Sequence, residues 1–454
     1  MEEARQLDPR QKEVLSVADH YAKSVVAFSS SSYPGHTRPS PPLLMVHGGA
    51  GSGKSRVINS IFNIMNETFK KVGDDPSCPY VVLSSFTGAA SANINGQTLH
   101  SLFGFKFGTT FLCLPEKERE EKRLIFRNLR CLIIDEISMV SADMLYNLDL
   151  RLREITMVNS VFGGLSVMCF GDLFQLEPVQ GRYVFKEPSN QEHAMSFKLR
   201  NLWNLFSVIN LEENHRQGDE KVFGDMLNRV RIGAQTDEDI AMLQTRVRPR
   251  SDPSLDSDTL HIYGTNAKVN ARNKAKLNEI DGPLYTIKAK NYSKTIKTFK
   301  VNNAGCIMNT PFQAVLELKI GMEVVLVHNI NTLDGLTNGC RGELVDVEMN
   351  KGLVRRLVIK FHNPEHGKLQ RQKNPCKSHP EATYIEPIHW QYLVSGASCS
   401  VFQFPVKGAA AITAHKIQAN CLNFFSNGFY SLLACNVSDN LINFRVKQRH
   451  HQTF

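Results

Sequence analysis

Eight consecutive residues early in the chain have the types and spacing of a phosphate-binding loop. They match the pattern G-x-x-x-x-G-K-S and are Gly48, Gly49, Ala50, Gly51, Ser52, Gly53, Lys54 and Ser55. Glycines let backbone N–H groups close around a β-phosphate, and a helix starting here directs its positive end at the same anion. Lys54 would bridge the β- and γ-phosphates, and the Ser55 hydroxyl would ligate Mg²⁺. A chance glycine-rich turn is disfavoured, because an apolar run precedes the segment and a helical pattern follows it.

Two adjacent carboxylates end the apolar run CLIID at residues 131–135. Asp135 would hold Mg²⁺ through water, and Glu136 would orient and polarise an attacking water molecule. This role favours an NTP-hydrolysing enzyme over a kinase, which uses the hydroxyl of its acceptor. An Asp-Glu pair is common on surface loops, but its position after a buried strand makes it a strong candidate here.

The segment SVMCFGDLFQLEPV carries a third candidate site. Asp172 follows an apolar run, and Gln175 lies three residues later. The Gln175 amide could sense the γ-phosphate and couple hydrolysis to movement. It could equally be an ordinary loop amide with satisfied hydrogen bonds, and its residue type leaves both interpretations open.

These candidates need a scaffold that brings the ends of several strands together. Residues 7–28 have the apolar period of a helix, and a Ser/Pro-rich connector follows at 29–42. Short apolar runs alternate with helix-like segments such as 54–71, and they lie at 43–49, 81–85, 131–135 and 166–172. That alternation predicts a parallel α/β sheet with its functional loops at the carboxyl ends of the strands. The charge run at 116–123 is typical of a solvated helix face.

The residue pattern of the sequence changes after residue 311. Three segments here are rich in β-branched residues, and Gly/Asn turns separate them. They are ELKIGMEVVLVHNI, GCRGELVDV and RRLVIKF. This pattern predicts a small barrel or sheet.

Composition narrows the class of protein. The 454 residues include 53 Lys plus Arg and 44 Asp plus Glu, a net charge of +9 that favours polyanionic partners without requiring them. No apolar run of about 18 residues indicates a membrane span, and the polar N-terminus does not resemble a secretory signal. The ten cysteines form no C-x-x-C pair, which argues against a zinc ribbon and for reduced intracellular thiols.

Eight segments in a fixed order resemble the Pif-type DNA helicases. These are superfamily-one enzymes that translocate 5′ to 3′ on single-stranded DNA, and the Helitron helicases are close relatives. The similarity runs from about residue 7 to 418 and comprises GGAGSGKS, SSFTGAASANINGQTLHSLFG, LIIDEISMV, GDLFQLEPV, LEENHRQ, YGTNAKVNARN, LTNGCRGEL and AITAHKIQ. The resemblance implies two RecA-like P-loop NTPase domains with ATP between them, DNA across their top and a small β-rich SH3-like insertion.

The resemblance also implies a division of the chain. The first part is an adenine-contact helix and linker (1–42), followed by the first RecA-like ATPase domain (43–205). The second RecA-like domain starts at 206–310, is interrupted by the insertion at 311–405 and resumes at 406–418. A divergent tail occupies 419–454.

Further nucleotide contacts follow from the resemblance. Gln11 in LDPRQ would contact adenine, although its position alone would favour an exposed helix residue. Arg216 in ENHRQ would be the arginine finger that reaches the γ-phosphate, a task suited to a permanently charged planar fork.

DNA contacts are implied by the same motifs. Small hydroxyl residues on loops suit phosphate contacts, and the positions implied are Thr87, His100, Ser101, Asn266, His415, Lys416 and Gln418. His100 alone would more often be a structural histidine, and Asn266 a turn asparagine. The last three, in TAHKIQ, would couple the grip on DNA to the nucleotide state.

The match stops after Gln418, where Ala419 and Asn420 replace the family's Gly and Thr. The tail lacks the family's later motif with a second arginine for the γ-phosphate, so the second RecA-like domain is expected to be incomplete. Two functions follow: an ATP- and Mg²⁺-dependent 5′-to-3′ DNA helicase, or a nucleotide- and DNA-binding remnant without motor activity. A small-molecule kinase would leave the TLHSLFG, ENHRQ and HKIQ segments unexplained.

Cellular roles come from the resemblance alone. It implies telomere maintenance, DNA repair after damage and recombination, acting on single-stranded and on duplex or forked DNA as a monomer. It also implies a nuclear location, with the mitochondrion as a second one, and no membrane association.

Overall fold

The computed structural model describes residues 7–30, 37–105, 110–178, 181–213, 221–245, 260–291, 298–302, 305–308, 310–331, 333–394 and 397–413. It contains two compact units, Met1–Asp239 and Ile240–Phe454, called unit 1 and unit 2 below. Four of the sequence-based candidates lie outside the described residues, as does the divergent tail. They are Arg216, His415, Lys416 and Gln418.

Unit 1 is built on a six-stranded sheet. In chain order its strands are β1 (Leu43–Gly48), β2 (Val81–Ser85), β3 (Gln97–Thr98), β4 (Cys131–Asp135), β5 (Ser166–Gly171) and β6 (Ser207–Leu211). The spatial order is β3-β2-β4-β5-β1-β6, and every neighbouring pair is parallel. The predicted parallel α/β sheet is therefore confirmed, and β6 adds a strand from residues that the sequence analysis assigned to the second RecA-like domain.

Helices pack on both faces of this sheet. The helices described up to residue 245 are α1 (Pro9–Ser30), α2 (Lys54–Phe69), α3 (Gly88–Asn93), α4 (Leu99–Phe103), α5 (Glu116–Ile125), α6 (Ala142–Thr156), α7 (Gln191–Leu199), α8 (Lys221–Ile232) and α9 (Asp237–Gln244), the last of which crosses the boundary between the units. Short 3-10 turns lie at Ile137–Met139, Val161–Gly164 and Trp203–Leu205. The charge run at 116–123 falls on α5, which buries none of its residues, as predicted.

The strand β4 shows how one apolar run supports two cores. Leu132 and Ile134 pack into a cluster with α6, whereas Cys131 and Ile133 pack into another with α1 and α2. Successive side chains of a strand point to opposite faces, so a strand buried on both faces must be apolar throughout. This is why CLIID is recognisable in the sequence and why its final Asp135 marks the edge of the sheet.

Unit 2 is mainly β-structure. Its strands are β7 (His261–Tyr263), β8 (Tyr285–Lys288), β9 (Lys290–Asn291), β10 (Val315–Leu318), β11 (Glu323–Leu326), β12 (Arg341–Asn350), β13 (Leu353–Phe361), β14 (Thr383–Ile385), β15 (Ile388–Val394), β16 (Ala397–Gln403), β17 (Val406–Gly408) and β18 (Ala411–Thr413). Besides the end of α9, its helices within the described residues are α10 (Asn266–Glu279) and α11 (Lys368–Lys373). An antiparallel five-stranded sheet has the order β14-β13-β12-β11-β17, which agrees with the β-rich prediction after residue 311.

A parallel pair of strands in unit 2 joins distant parts of the chain. Strands β7 and β18 pair in parallel, with Ala411 opposite His261. The Asn273 side chain on α10 accepts a hydrogen bond of 2.7 Å from the Ala411 amide and donates one of 3.0 Å to the Gly408 carbonyl. Among the helices that the structure describes, none is both long and apolar enough to cross a membrane.

Candidate nucleotide-binding site

The glycine-rich segment forms a closed loop between β1 and α2. Gly51 and Gly53 have φ values of 85° and 77°, in the left-handed region that only glycine adopts without cost. At Gly48 a Cβ atom would lie 2.5 Å from the Ser52 hydroxyl, so a side chain there would displace the loop. The glycines of the pattern thus allow a backbone that other residues would adopt only with strain.

The Lys54 ammonium lies inside this loop. It donates hydrogen bonds of 2.8 Å to the Gly48 carbonyl and 2.9 Å to the Gly49 carbonyl. Burial lowers the pKa of Lys54, and the nearby carboxylates Glu136, Asp135 and Asp172 raise it in part. The loop therefore holds a desolvated ammonium group. A phosphate bound in the loop would place negative charge beside it.

The acidic pair follows β4 at the same edge of the sheet. Asp135 is 6% exposed and accepts a hydrogen bond of 2.9 Å from the backbone amide of Glu136. Burial, together with repulsion from Glu136, raises the pKa of Asp135 to about 7. Glu136 has a φ of 53°, a left-handed conformation that costs a non-glycine residue on the order of 1–3 kcal/mol. Such strain is typical of functional sites.

A third carboxylate, Asp172, follows β5 and is 1% exposed. Two nitrogens of Arg231 on α8 donate to its two oxygens, at 2.6 and 2.7 Å, and His47 Nε2 lies 3.4 Å from Oδ1. Burial alone would raise the pKa of Asp172, but the hydrogen bonds from His47 and Arg231, the Arg231 charge and the Phe174 amide hold it well below its usual range. Neither His47 nor Arg231 was recognised from the sequence, since nothing in their spacing connects them to Asp172.

Gln175 is held at the same carboxylate. Its backbone amide donates to the Asp172 carbonyl at 3.0 Å, and its side-chain Nε2 lies 3.5 Å from Asp172 Oδ2. This arrangement is that of a hydrogen-bonded loop amide. The role of γ-phosphate sensor remains a prediction.

Gln11 lies on α1, packed against the phosphate loop. It is 1% exposed, and its amide nitrogen donates to the Ser52 carbonyl at 3.1 Å. The alternative of an exposed helix residue is therefore wrong, because α1 turns this polar side chain toward the loop. The adenine contact remains a prediction.

The residues proposed for Mg²⁺ fit a cation that binds together with phosphates. Ser55 is exposed at the start of α2, and Asp135 is a buried carboxylate whose pKa is raised by burial and, to a smaller extent, by the neighbouring Glu136. Within the described ranges no group of three or more His, Cys, Asp or Glu side chains could hold a metal ion. Mg²⁺ would thus depend on Ser55, on Asp135 through water and on the nucleotide itself.

Three of the candidate DNA contacts follow β2: Thr87 directly precedes α3, and His100 and Ser101 lie on α4 rather than on a loop. The Thr87 hydroxyl accepts the Ala90 amide at 3.3 Å, which caps α3, and Ser101 is exposed on α4. The His100 ring packs edge-on against Phe86, with centroids 5.4 Å apart, and burial lowers its pKa. His100 therefore has a clear structural role, whereas the DNA contacts remain predictions.

The fourth described DNA candidate belongs to unit 2. Asn266 is exposed at the first position of α10, directly after Thr265, whose hydroxyl accepts the Lys268 amide at 3.5 Å. It is therefore part of a helix start rather than an isolated turn.

The phosphate loop after β1, the acidic pair after β4 and Asp172 after β5 share one edge of a parallel sheet. This arrangement defines unit 1 as a P-loop nucleotide-binding domain of the RecA-like type. Two family models match the chain: PIF1-like helicase over residues 35–240 and DNA helicase Pif1, 2B domain, over residues 307–347. Over these two segments the chain matches the PIF1-like helicase family.

Individual relatives support this assignment. The ATP-dependent DNA helicase PIF1 of Emericella nidulans is 30% identical over 305 residues, which are 66% of this chain and 38% of the relative. The Danio rerio protein of the same name is 28% identical over 428 residues, which are 92% of this chain and 58% of the relative. The chain spans between a third and three-fifths of the length of such curated relatives.

Solved structures extend the likeness to the whole fold. The Pif1 helicase from Candida albicans matches with a TM-score of 0.64 and 24% identity, covering 94% of this chain and 92% of that one. A Pif1 helicase from Bacteroides in complex with ADP-AlF3 and ssDNA matches with a TM-score of 0.59 and 25% identity, covering 91% and 89%. The predicted fold class, RecA-like domains with a β-rich insertion, is thus confirmed.

Proposed function

We propose that the chain is an ATP-driven DNA helicase that hydrolyses ATP, moves 5′ to 3′ along single-stranded DNA and unwinds duplex or forked DNA. The observation that carries the proposal is the convergence of Lys54 with the carboxylates of Asp135, Glu136 and Asp172 at one edge of the sheet. Family membership supports DNA as the polymer. The Bacteroides relative has been crystallised with a nucleotide analogue and ssDNA.

The residues divide the work by their chemistry. Lys54 leaves the Gly48 and Gly49 carbonyls to meet the β- and γ-phosphates, and backbone N–H groups of the loop enclose the β-phosphate. Glu136, fixed in its strained conformation at the strand end, orients and polarises the attacking water. Bound Mg²⁺ would neutralise phosphate charge, with Ser55 and Asp135 on its side of the site. Gln175 senses the γ-phosphate, and Gln11 contacts adenine.

DNA binding is assigned to both units. Thr87, His100 and Ser101 in unit 1 and Asn266 in unit 2 contact the DNA backbone, and Arg216 completes the ATP site. Family resemblance supports a monomeric motor in the nucleus that acts in telomere maintenance, DNA repair and recombination.

The proposal is tested by ATP hydrolysis with and without single-stranded DNA, with Lys54→Ala as the control. We expect DNA-stimulated turnover that is lost in the control. A duplex with a single 5′ or 3′ tail then tests direction, and only the 5′-tailed substrate should be unwound. Nucleotide and DNA binding without turnover in the wild-type chain would instead identify the binding remnant. Absence of both would contradict either function.

A further inference from the structure

Arg231 is a cation beside the phosphate loop for which the family motifs considered above give no role. It lies near the end of α8, and its Nε and Nη2 atoms donate to the two oxygens of Asp172 at 2.6 and 2.7 Å. Its guanidinium lies over the Phe174 ring, 4.9 Å from the centroid. A bidentate pair of this kind fixes the orientation of the fork as well as its position.

The guanidinium faces the loop at the residue that also holds Lys54. A Cβ atom on Gly49 would lie 3.8 Å from Arg231 Cζ, in ordinary contact distance, and the Gly49 carbonyl accepts the Lys54 ammonium at 2.9 Å. Two cations therefore flank Gly49. Because Lys54 is the residue that bridges β- and γ-phosphates in such loops, Arg231 lies on the side where the terminal phosphate would be.

The ion pair between Arg231 and Asp172 leaves N–H donors of the guanidinium available for a ligand. Arg231 Nη1 makes no hydrogen bond within the described residues, and the side chain is 23% exposed. Asp172 would also keep partners if the fork shifted, since the Phe174 amide donates to it at 3.0 Å and His47 Nε2 lies 3.4 Å away. Movement of Arg231 toward an anion would thus not leave a buried carboxylate unpaired, which would otherwise be costly.

We propose that Arg231 contacts the terminal phosphate of a bound nucleoside triphosphate and, through Asp172, links that phosphate to the segment that carries Gln175. The inference rests on the proposed function, since it concerns the same nucleotide site. It assigns Arg231 to discrimination between triphosphate and diphosphate. The segment after β5 would then change its contacts when the terminal phosphate leaves.

The test compares the affinities of the full chain for a non-hydrolysable ATP analogue and for ADP, by displacement of a fluorescent nucleotide. Arg231→Gln should weaken binding of the triphosphate analogue about tenfold relative to ADP, the loss of one hydrogen bond to a charged group. Arg231→Lys should recover part of this difference, because it keeps the charge but not the fork.

Arg229→Gln is a matched control on the same helix. Arg229 makes its own bidentate pair with Asp239, at 2.7 and 2.6 Å, so its loss removes a comparable ion pair. The ratio of triphosphate to ADP affinity should stay as in the wild type. An unchanged ratio of triphosphate to ADP affinity in Arg231→Gln would overturn the inference. If the affinity for both nucleotides falls equally, Arg231 has a purely structural role.

The proposed function and this inference fail in different ways. A wild-type chain that binds neither nucleotide would contradict both. A wild-type chain with DNA-stimulated hydrolysis, combined with an unchanged affinity ratio in Arg231→Gln and Arg231→Lys, would contradict the inference alone. If Arg231→Gln does not fold, as judged by circular dichroism, Arg231→Lys decides the question, and a wild-type ratio of triphosphate to ADP affinity in that variant overturns the inference.

Discussion

The amide nitrogen of Gln11 donates a hydrogen bond of 3.1 Å to the backbone carbonyl of Ser52, 41 positions later in the chain. This bond attaches the first helix to the phosphate loop. The Asp8 amide also donates to the Gln11 side chain, at 3.2 Å, so the amide group is oriented at both ends. A residue proposed to contact adenine thus also supports the loop that binds phosphate.

Gln11→Ala should therefore affect stability as well as nucleotide binding. Loss of the donor leaves the Ser52 carbonyl without this partner in a buried place, at a cost of about 1–3 kcal/mol in unfolding free energy. The KM for ATP should rise at the same time. Urea unfolding and steady-state ATP hydrolysis measure the two effects. Lys12→Ala, at the exposed neighbouring position, should change neither, and a Gln11→Ala chain of wild-type stability would contradict the supporting role.

The backbone conformation of Glu136 predicts that a glycine variant is more stable than an alanine variant, the reverse of the usual order. Its φ of 53° suits glycine, so Glu136→Gly should be more stable than Glu136→Ala by about 1 kcal/mol, whereas glycine is normally the less stable of the two. Both variants should lose ATP hydrolysis, because the carboxylate is absent. Chemical unfolding of the two proteins provides the comparison. An alanine variant that is the more stable would show that the backbone is not strained at this position.

The sequence predicts those elements that depend only on local residue types. The strands β2 and β4 have the predicted bounds, 81–85 and 131–135, because continuous apolar runs are buried on both faces. By contrast, β3 has only two residues, and three of the five residues of β6 are exposed, so neither is the continuously buried strand that β2 and β4 are.

The candidate site shows the same limit. The phosphate loop and the acidic pair are local motifs and could be located from their spacing. The contact of Asp172 with Arg231 joins residues 59 positions apart, and His47 meets them only because β1 and β5 pair with His47 opposite Gly171. Such contacts depend on strand order, which the local pattern does not contain.

Thr98 predicts a link between helix capping and DNA binding. Its hydroxyl accepts the Ser101 amide at 3.2 Å and so caps α4, the helix that carries His100 and Ser101. Thr98→Ala should lower the unfolding free energy by about 1 kcal/mol and weaken the affinity for single-stranded DNA, since both proposed contacts lie on the first turn. Thr98→Ser keeps the cap and should restore both. Fluorescence anisotropy with a labelled oligonucleotide measures the affinity, and unchanged DNA binding by Thr98→Ala would remove this helix from the proposed interface.

The burial of His328 predicts the direction in which pH changes the unfolding free energy of unit 2. Its ring packs edge-on against Trp390, with centroids 4.6 Å apart, and lies 6.5 Å from the Phe312 ring. Burial lowers the pKa of His328 below its ordinary value of 6.5. Between the two values the unfolded chain binds more protons than the folded one, so this group makes the unfolding free energy rise with pH. Its penalty is absent well above pH 6.5 and grows as the pH falls below that value.

The measurement is urea unfolding between pH 5 and 8, followed by the fluorescence of Trp390 after Trp203→Phe removes the other tryptophan. His328→Phe keeps an aromatic ring against Trp390 but cannot take a proton, so it should make the dependence on pH shallower. Phe312→Leu is the control: it removes a neighbouring ring without removing a titrating group, and should lower stability by a similar amount at each pH. His100 and His366, whose pKa values are also lowered by burial, and Asp135, whose raised pKa acts in the opposite direction, leave a residual slope in every variant. A His328→Phe chain with the slope of its Trp203→Phe parent would show that protonation of His328 does not oppose folding.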